Sequence, residues 1–145
     1  MPKLDVTLRP AQPGDIPAIA ELISCLGHPT SAAQMAARLE RIAGDEAYAT
    51  FVAVEDERIL GVLGAGLFAP YESDALAGTI LALSVDPAAR GRGLGAALVE
   101  HAEAWFRAQG AETVIVSSRH ERRAAHRFYE RLGYAATGLR FRKRF

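Results

Sequence analysis

Residues 81–96 are where side-chain type and spacing first suggest chemistry. An apolar run, Leu81-Ala82-Leu83-Ser84-Val85, passes through Asp86-Pro87 into Arg90-Gly91-Arg92-Gly93-Leu94-Gly95-Ala96. A strand that ends in a basic, glycine-rich turn and opens a helix leaves backbone N–H groups unpaired, and the helix dipole and arginines add positive potential. The arrangement predicts a phosphate cradle. The helix itself is marked by Leu94, Leu98, Ala102, Trp105 and Phe106 at helical spacing, with Gly110 as a stop just past Gln109.

Two well-known cradles make demands that this one does not meet. A P-loop needs Gly-Lys-Ser/Thr, so that a lysine reaches the terminal phosphates and a hydroxyl holds magnesium; Leu94 and Gly95 stand there instead. A dinucleotide fold needs Gly-x-Gly-x-x-Gly/Ala, which Gly91, Gly93 and Ala96 satisfy in degenerate form, and also an acid at the end of the next strand to hold the ribose. Glu112 falls before the apolar Val114-Ile115-Val116, at the wrong end of that strand. Nucleoside triphosphate hydrolysis and dinucleotide binding are both disfavoured.

A second segment, Ala125-His126-Arg127-Phe128-Tyr129-Glu130-Arg131-Leu132-Gly133-Tyr134, follows at a helix-and-turn spacing. Taken with Arg90-x-x-Gly93-x-Gly95, it resembles the GCN5-related N-acetyltransferases (GNAT family), over nearly the whole chain. The resemblance implies a three-layer mixed α/β fold of about seven strands and four helices, and acetyl-CoA as cosubstrate. It places the pantetheine arm on main-chain groups of Leu83, Ser84 and Val85. It places the pyrophosphate on Arg90, Gly91, Arg92, Gly93, Leu94, Gly95 and Ala96, with Arg92 as a charge partner. Near the late helix it implies cofactor contacts from Ala125 and from Arg122, where the family often has asparagine. Tyr129 stands at the family's general acid: a phenol, with an ordinary pKa of about 10, can protonate or hydrogen-bond a departing thiolate. A packing tyrosine fits the same helical spacing.

The reacting amine must first lose a proton, and many relatives place an acid in the fourth strand for this; here Leu81 and Ala82 stand in that region. Four loop residues are candidates for base or substrate contact: His28, Glu72, Asp74 and His120. A water wire or an amine that arrives neutral would also serve. The stretch from Ala125 through Gly133-Tyr134 to Phe141-Arg142-Lys143 resembles the aminoalkylphosphonate N-acetyltransferase branch, which implies a small amine carrying an anionic group. Transfer to a peptide or protein amine, and a non-catalytic acetyl-CoA-binding module, are the alternatives. Pocket volume near Ser117 and Ser118 would set the acyl-chain length. Family members are often dimers, so a homodimer is the implied assembly.

These residues need a scaffold, and the sequence predicts one from alternating elements. Val6 to Arg9 reads as a strand, and Ile16, Ile19, Ile23 and Leu26 form a helix face after Asp15. Ser31 is a candidate cap for a second helix ending near Gly44. Strands Tyr48–Val54 and Ile59–Leu67 flank the polar Glu55-Asp56-Glu57-Arg58, a hairpin pattern. Strand Thr79–Val85, the helix from Gly93, strand Glu112–Ser117 and a helix from about Arg122 to Leu132 follow. Two short strands, Tyr134–Ala136 and Leu139–Arg144, are expected to close one edge.

Composition is consistent with that scaffold. With 145 residues, 50% hydrophobic and 23% charged, one compact domain over 1–145 is expected. Cys25 is the single cysteine, which excludes an internal disulfide and a cysteine-based zinc site, and no metal is expected. The start lacks an apolar signal region, and Ile59–Ala69 is about half a membrane span with three glycines. A cytoplasmic protein without a membrane partner is the expectation. A formal net charge of zero hides a gradient: residues 1–89 carry 5 Lys/Arg and 12 Asp/Glu, residues 116–145 carry 9 and 2. A basic C-terminal third suits a polyanionic cofactor. Arg140, Arg142, Lys143 and Arg144 intersperse with Phe141 and Phe145 as in an ordinary strand, so no nucleic-acid partner is expected.

Overall fold

The computed structural model describes residues 5–117 and 123–145. They divide into a unit ending at Ile115 and a smaller one from Val116 to Phe145. The elements of the first are β1 (Thr7–Pro10), α1 (Ile16–Ser24), α2 (Ala32–Glu40), β2 (Tyr48–Glu55), β3 (Arg58–Phe68), β4 (Leu76–Val85), α3 (Leu94–Ala108) and β5 (Ala111–Val116), the last running one residue past the division. The second holds α4 (Arg123–Arg131). The sheet order is β1-β2-β3-β4-β5, and β1 through β4 pair antiparallel.

Side-chain alternation on β2 and β3 sorts the helices to two faces. Val52 and Val62 meet Ile19 and Leu22 of α1, with Met35 and Leu39 of α2 packed against them. From β2's other face, Phe51 meets His101 and Trp105 of α3 edge-on, at ring separations of 4.8 and 6.1 Å. The α3 stripe is buried through Leu94, Leu98, Val99, Ala102 and Phe106. Helix, sheet and helix thus form three layers, as expected.

Local signals in the sequence explain the element boundaries. Ser31 caps α2: its hydroxyl accepts the Gln34 N–H at 3.1 Å, and the Gln34 side chain accepts the Ser31 N–H at 2.8 Å. α2 stops at Glu40, and turns carry the chain on to Gly44. Ahead of α1, the Arg9 guanidinium grips Asp15 at 2.7 and 3.0 Å, and the Gln12 N–H donates to the same carboxylate. Those contacts hold the Asp15 carboxyl below its ordinary range although its burial opposes them.

The structure corrects one part of the sequence reading. Among the described residues there are five strands, not about seven, because Tyr134–Ala136 and Leu139–Arg144 form none. Leu139, Phe141 and Phe145 are 85%, 88% and 113% exposed. Alternation drives strand formation only when one face is buried, and here neither is. No helix among the described residues is long and apolar enough to cross a membrane.

Gly78 of β4 lets α3 approach closely, since a Cβ there would lie 2.4 Å from the Phe106 ring. Gly78→Ala should therefore lower stability by about 1–3 kcal/mol through overpacking. Gly61→Ala should cost less, under about 1 kcal/mol, because its one close contact is the tip of Leu98 at 2.9 Å, with Ser84 O and Val85 Cγ2 at ordinary distances of 3.4 and 3.6 Å. Urea unfolding of the two variants measures the difference. The Asp15 contribution is present above its unfolded pKa and is lost as pH falls through the lowered folded value. Asp15→Asn should flatten the acid limb of the stability-against-pH curve.

Candidate functional site

The sequence-predicted cradle is built at the end of β4. Asp86 donates its N–H to the Leu60 carbonyl at 2.8 Å, and its carboxylate accepts the Ala88 N–H at 2.9 Å, closing a short 3-10 turn over Pro87–Ala89. Ala89 is buried against Leu60 and Leu94, which fixes both ends of the loop to the core. Between them Gly91 and Gly93 take φ of +83° and +79°, a left-handed conformation open to glycine at little cost. Gly93 caps α3 without a side-chain hydrogen bond, and the first turn holds no acidic residue. The N–H groups of that turn thus face outward without a side-chain acceptor at the cap, and a diphosphate fits such a cradle.

Arg90 is exposed beside this loop. Arg92 points elsewhere: its Nη1 donates to Glu55 Oε1 at 3.2 Å, and its Nη2 pairs with Oε2 of the same carboxylate. The pair lowers the Glu55 pKa, with a smaller contribution from Arg58, and raises that of Arg92. Sequence spacing could not have found Glu55, which lies 37 residues away on the strand preceding the hairpin turn.

β4 itself is irregular. Ala82 pairs with Gly64 and Ile80 with Ala65, so Leu81 is an extra residue, 55% exposed in a bulge. The ladder resumes through Leu83 opposite Leu63, Ser84 opposite Val62 and Val85 opposite Gly61. Ser84 is buried, and its hydroxyl donates to the Leu22 carbonyl at 2.8 Å. Leu22 is one of the last four residues of α1, whose carbonyls lack helical partners. Its neighbours Glu21, Ile23 and Ser24 accept from Cys25, Leu26 and Gly27 N–H groups. The strand expected to carry the pantetheine arm therefore also ties down the end of α1.

The other predicted residues lie on several elements. His28 is exposed in the α1–α2 loop, which is braced by Ser24 Oγ at 3.0 Å from the Thr30 N–H and by Arg38 on the Thr30 hydroxyl. Glu72 and Asp74 are exposed in the β3–β4 loop, at the opposite end of β4 from Ser84. Ser118, His120 and Arg122 lie outside the described residues. In the second unit, Tyr129 is half-buried on α4 between the rings of Phe128 at 5.0 Å and Tyr134 at 5.8 Å. The Tyr134 N–H returns to the Tyr129 carbonyl, and the Gly133 N–H to that of Glu130, each at 3.0 Å. This double bond pattern ends the helix and sets Tyr134 over Tyr129. Ala125 and Phe128 are half-buried on the same helix.

A helix-sheet-helix sandwich with a glycine-opened helix start after its fourth strand is the architecture shared with acetyltransferases. The sequence pattern of the Acetyltransferase (GNAT) family matches residues 16–134, and the chain belongs to that family. The mycothiol acetyltransferase of Rhodococcus erythropolis is 32% identical over 87 residues, 60% of this chain and 29% of that protein. The aminoalkylphosphonate N-acetyltransferase of Salmonella typhimurium is 44% identical over 66 residues, 46% of this chain and 43% of that one. The matched stretch spans less than half of either relative. A solved structure described as a transcriptional regulator from Bacillus halodurans superposes with a TM-score of 0.87 at 25% identity, covering 97% of this chain and 99% of that one.

Ser84→Ala would leave the buried Leu22 carbonyl without its partner. The expected cost is about 1–3 kcal/mol, read by urea unfolding. Ser84→Thr, which keeps the hydroxyl, should recover part of it.

Proposed function

We propose that this chain is an acetyl-CoA-dependent N-acetyltransferase, one domain over 1–145, that acetylates the amine of a small molecule by direct attack on the thioester. The observation that carries the reading is the α3 N-terminus, opened by two left-handed glycines and free of a capping side chain, in a chain of this family. Bound acetyl-CoA would supply the acyl group on a sulfur leaving group. Main-chain groups of Leu83, Ser84 and Val85 would align the pantetheine arm, and N–H groups from Arg90 to Ala96 would hold the diphosphate. Ala125 and Arg122 are assigned further cofactor contact by the family pattern alone.

Tyr129 is assigned the general acid, donating its phenolic proton to the thiolate as the C–S bond breaks. The attacking nitrogen must arrive unprotonated. His28, Glu72, Asp74 and His120 remain the residues to test for that step and for substrate contact. Similarity to the aminoalkylphosphonate enzyme favours a small amine with an anionic group, consistent with the basic C-terminal third.

Thiol release from acetyl-CoA, measured over aminophosphonates, amino acids, polyamines and a peptide N-terminus, tests the reading. The expected result is release that depends on one small-amine class, with kcat falling about 100-fold or more in Tyr129→Phe. Faster release with the peptide would make this a peptide N-acetyltransferase. Tight acetyl-CoA binding without release from any amine would favour the non-catalytic module, the reading to which the likeness to a described transcriptional regulator lends support.

A further inference from the structure

We propose that Glu55 is a positioning residue for the phosphate loop, acting through Arg92, which serves as the loop's anchor and not as a phosphate ligand. The inference rests on the cofactor reading above. Arg92 sits between the two left-handed glycines, immediately before α3. Around each of those glycines there is nothing within 4 Å of where a Cβ would be. Side-chain packing therefore does little to hold this stretch, and the guanidinium provides a tether. Both terminal nitrogens of Arg92 are committed to the two Glu55 oxygens, a fork-to-fork pairing that fixes direction as well as distance.

The far end of the tether is well seated. Glu55 is the last residue of β2, directly opposite Arg58 across a two-residue turn, and β3 is paired along its length with both β2 and β4. β4 runs into the phosphate loop, and Asp86 at its end is bonded to Leu60 of β3. The ion pair therefore closes a ring from hairpin to strand to loop and back, and holds the loop in shape before any anion arrives. A preformed cradle does not have to be ordered on binding, so its affinity is higher by that amount. The arginine's charge is also balanced by Glu55, which leaves the N–H groups, the helix dipole and Arg90 to attract the diphosphate.

The experiment compares the parent protein with Glu55→Gln, Arg92→Gln, Arg92→Lys and the Glu55→Gln/Arg92→Gln double variant. Two readouts are taken: calorimetric CoA affinity, and amide exchange in the ligand-free protein at Ala97, whose N–H makes the first hydrogen bond of α3, to the Gly93 carbonyl. Each single variant should weaken CoA by about 3- to 10-fold and speed exchange at Ala97, and the double variant should be no worse than either single. Arg92→Lys should behave as Arg92→Gln, since an ammonium cannot make the fork. Glu57→Gln, a neighbouring charge outside the pair, should change neither readout, which separates the tether from general electrostatics.

Tighter CoA binding in Glu55→Gln, additive losses, or parent-like affinity in Arg92→Lys would overturn the proposal and make Arg92 a ligand that Glu55 restrains. Unchanged exchange at Ala97 would also overturn it. Failure of the parent itself to bind CoA removes the cofactor reading and this inference with it, whereas CoA binding indifferent to Glu55 removes the inference alone.

Discussion

The main constraint on this fold is the set of unpaired N–H groups that α3 leaves at its start. A helix must leave its first four donors unsatisfied by its own backbone, and most helices cover one or two with a Ser, Thr, Asp or Asn side chain. α2 does this with Ser31. α3 has a glycine at that place, so its donors are left to water or to an anion. The surroundings are arranged to hold that end still: Ala89 and Leu94 are buried together, Asp86 is bonded to β3, and Arg92 is paired to β2.

The same economy recurs at the other end of the α1 layer. α1 ends with four carbonyls to satisfy, and three accept from the turn that follows. The fourth, on Leu22, is met by Ser84 from the strand that leads into the phosphate loop. One buried hydroxyl thus couples the α1–α2 side of the sheet to β4. The bulge at Leu81 lies three residues earlier on that strand. An exposed leucine there cannot take a proton, so in the proposed reaction any base has to come from elsewhere.

α4 follows a different logic. No residue of it is buried, and its apolar contacts are between rings: Phe128 with Tyr129, and Tyr129 with Tyr134 across the helix-ending turn. These edge-on ring contacts restrict the Tyr129 side chain. The exposed Leu139, Phe141 and Phe145 beyond it show why periodicity is insufficient evidence of a strand.

Much of this protein was determined by local rules that a sequence carries openly. The Ser31 cap, the hairpin around residues 55–58, the α3 stripe from Leu94 to Phe106 and the glycine-rich approach to α3 each depend on neighbours a few residues apart. All are present as read. What only the tertiary structure decided are the pairings between distant positions. Glu55 with Arg92, Ser84 with Leu22, the extra residue at Leu81 and the contact of Gly78 with Phe106 have no spacing rule, because each depends on how strands register and helices seat. Local chemistry set where the glycine-rich loop would be, and packing set which side chains hold it in place.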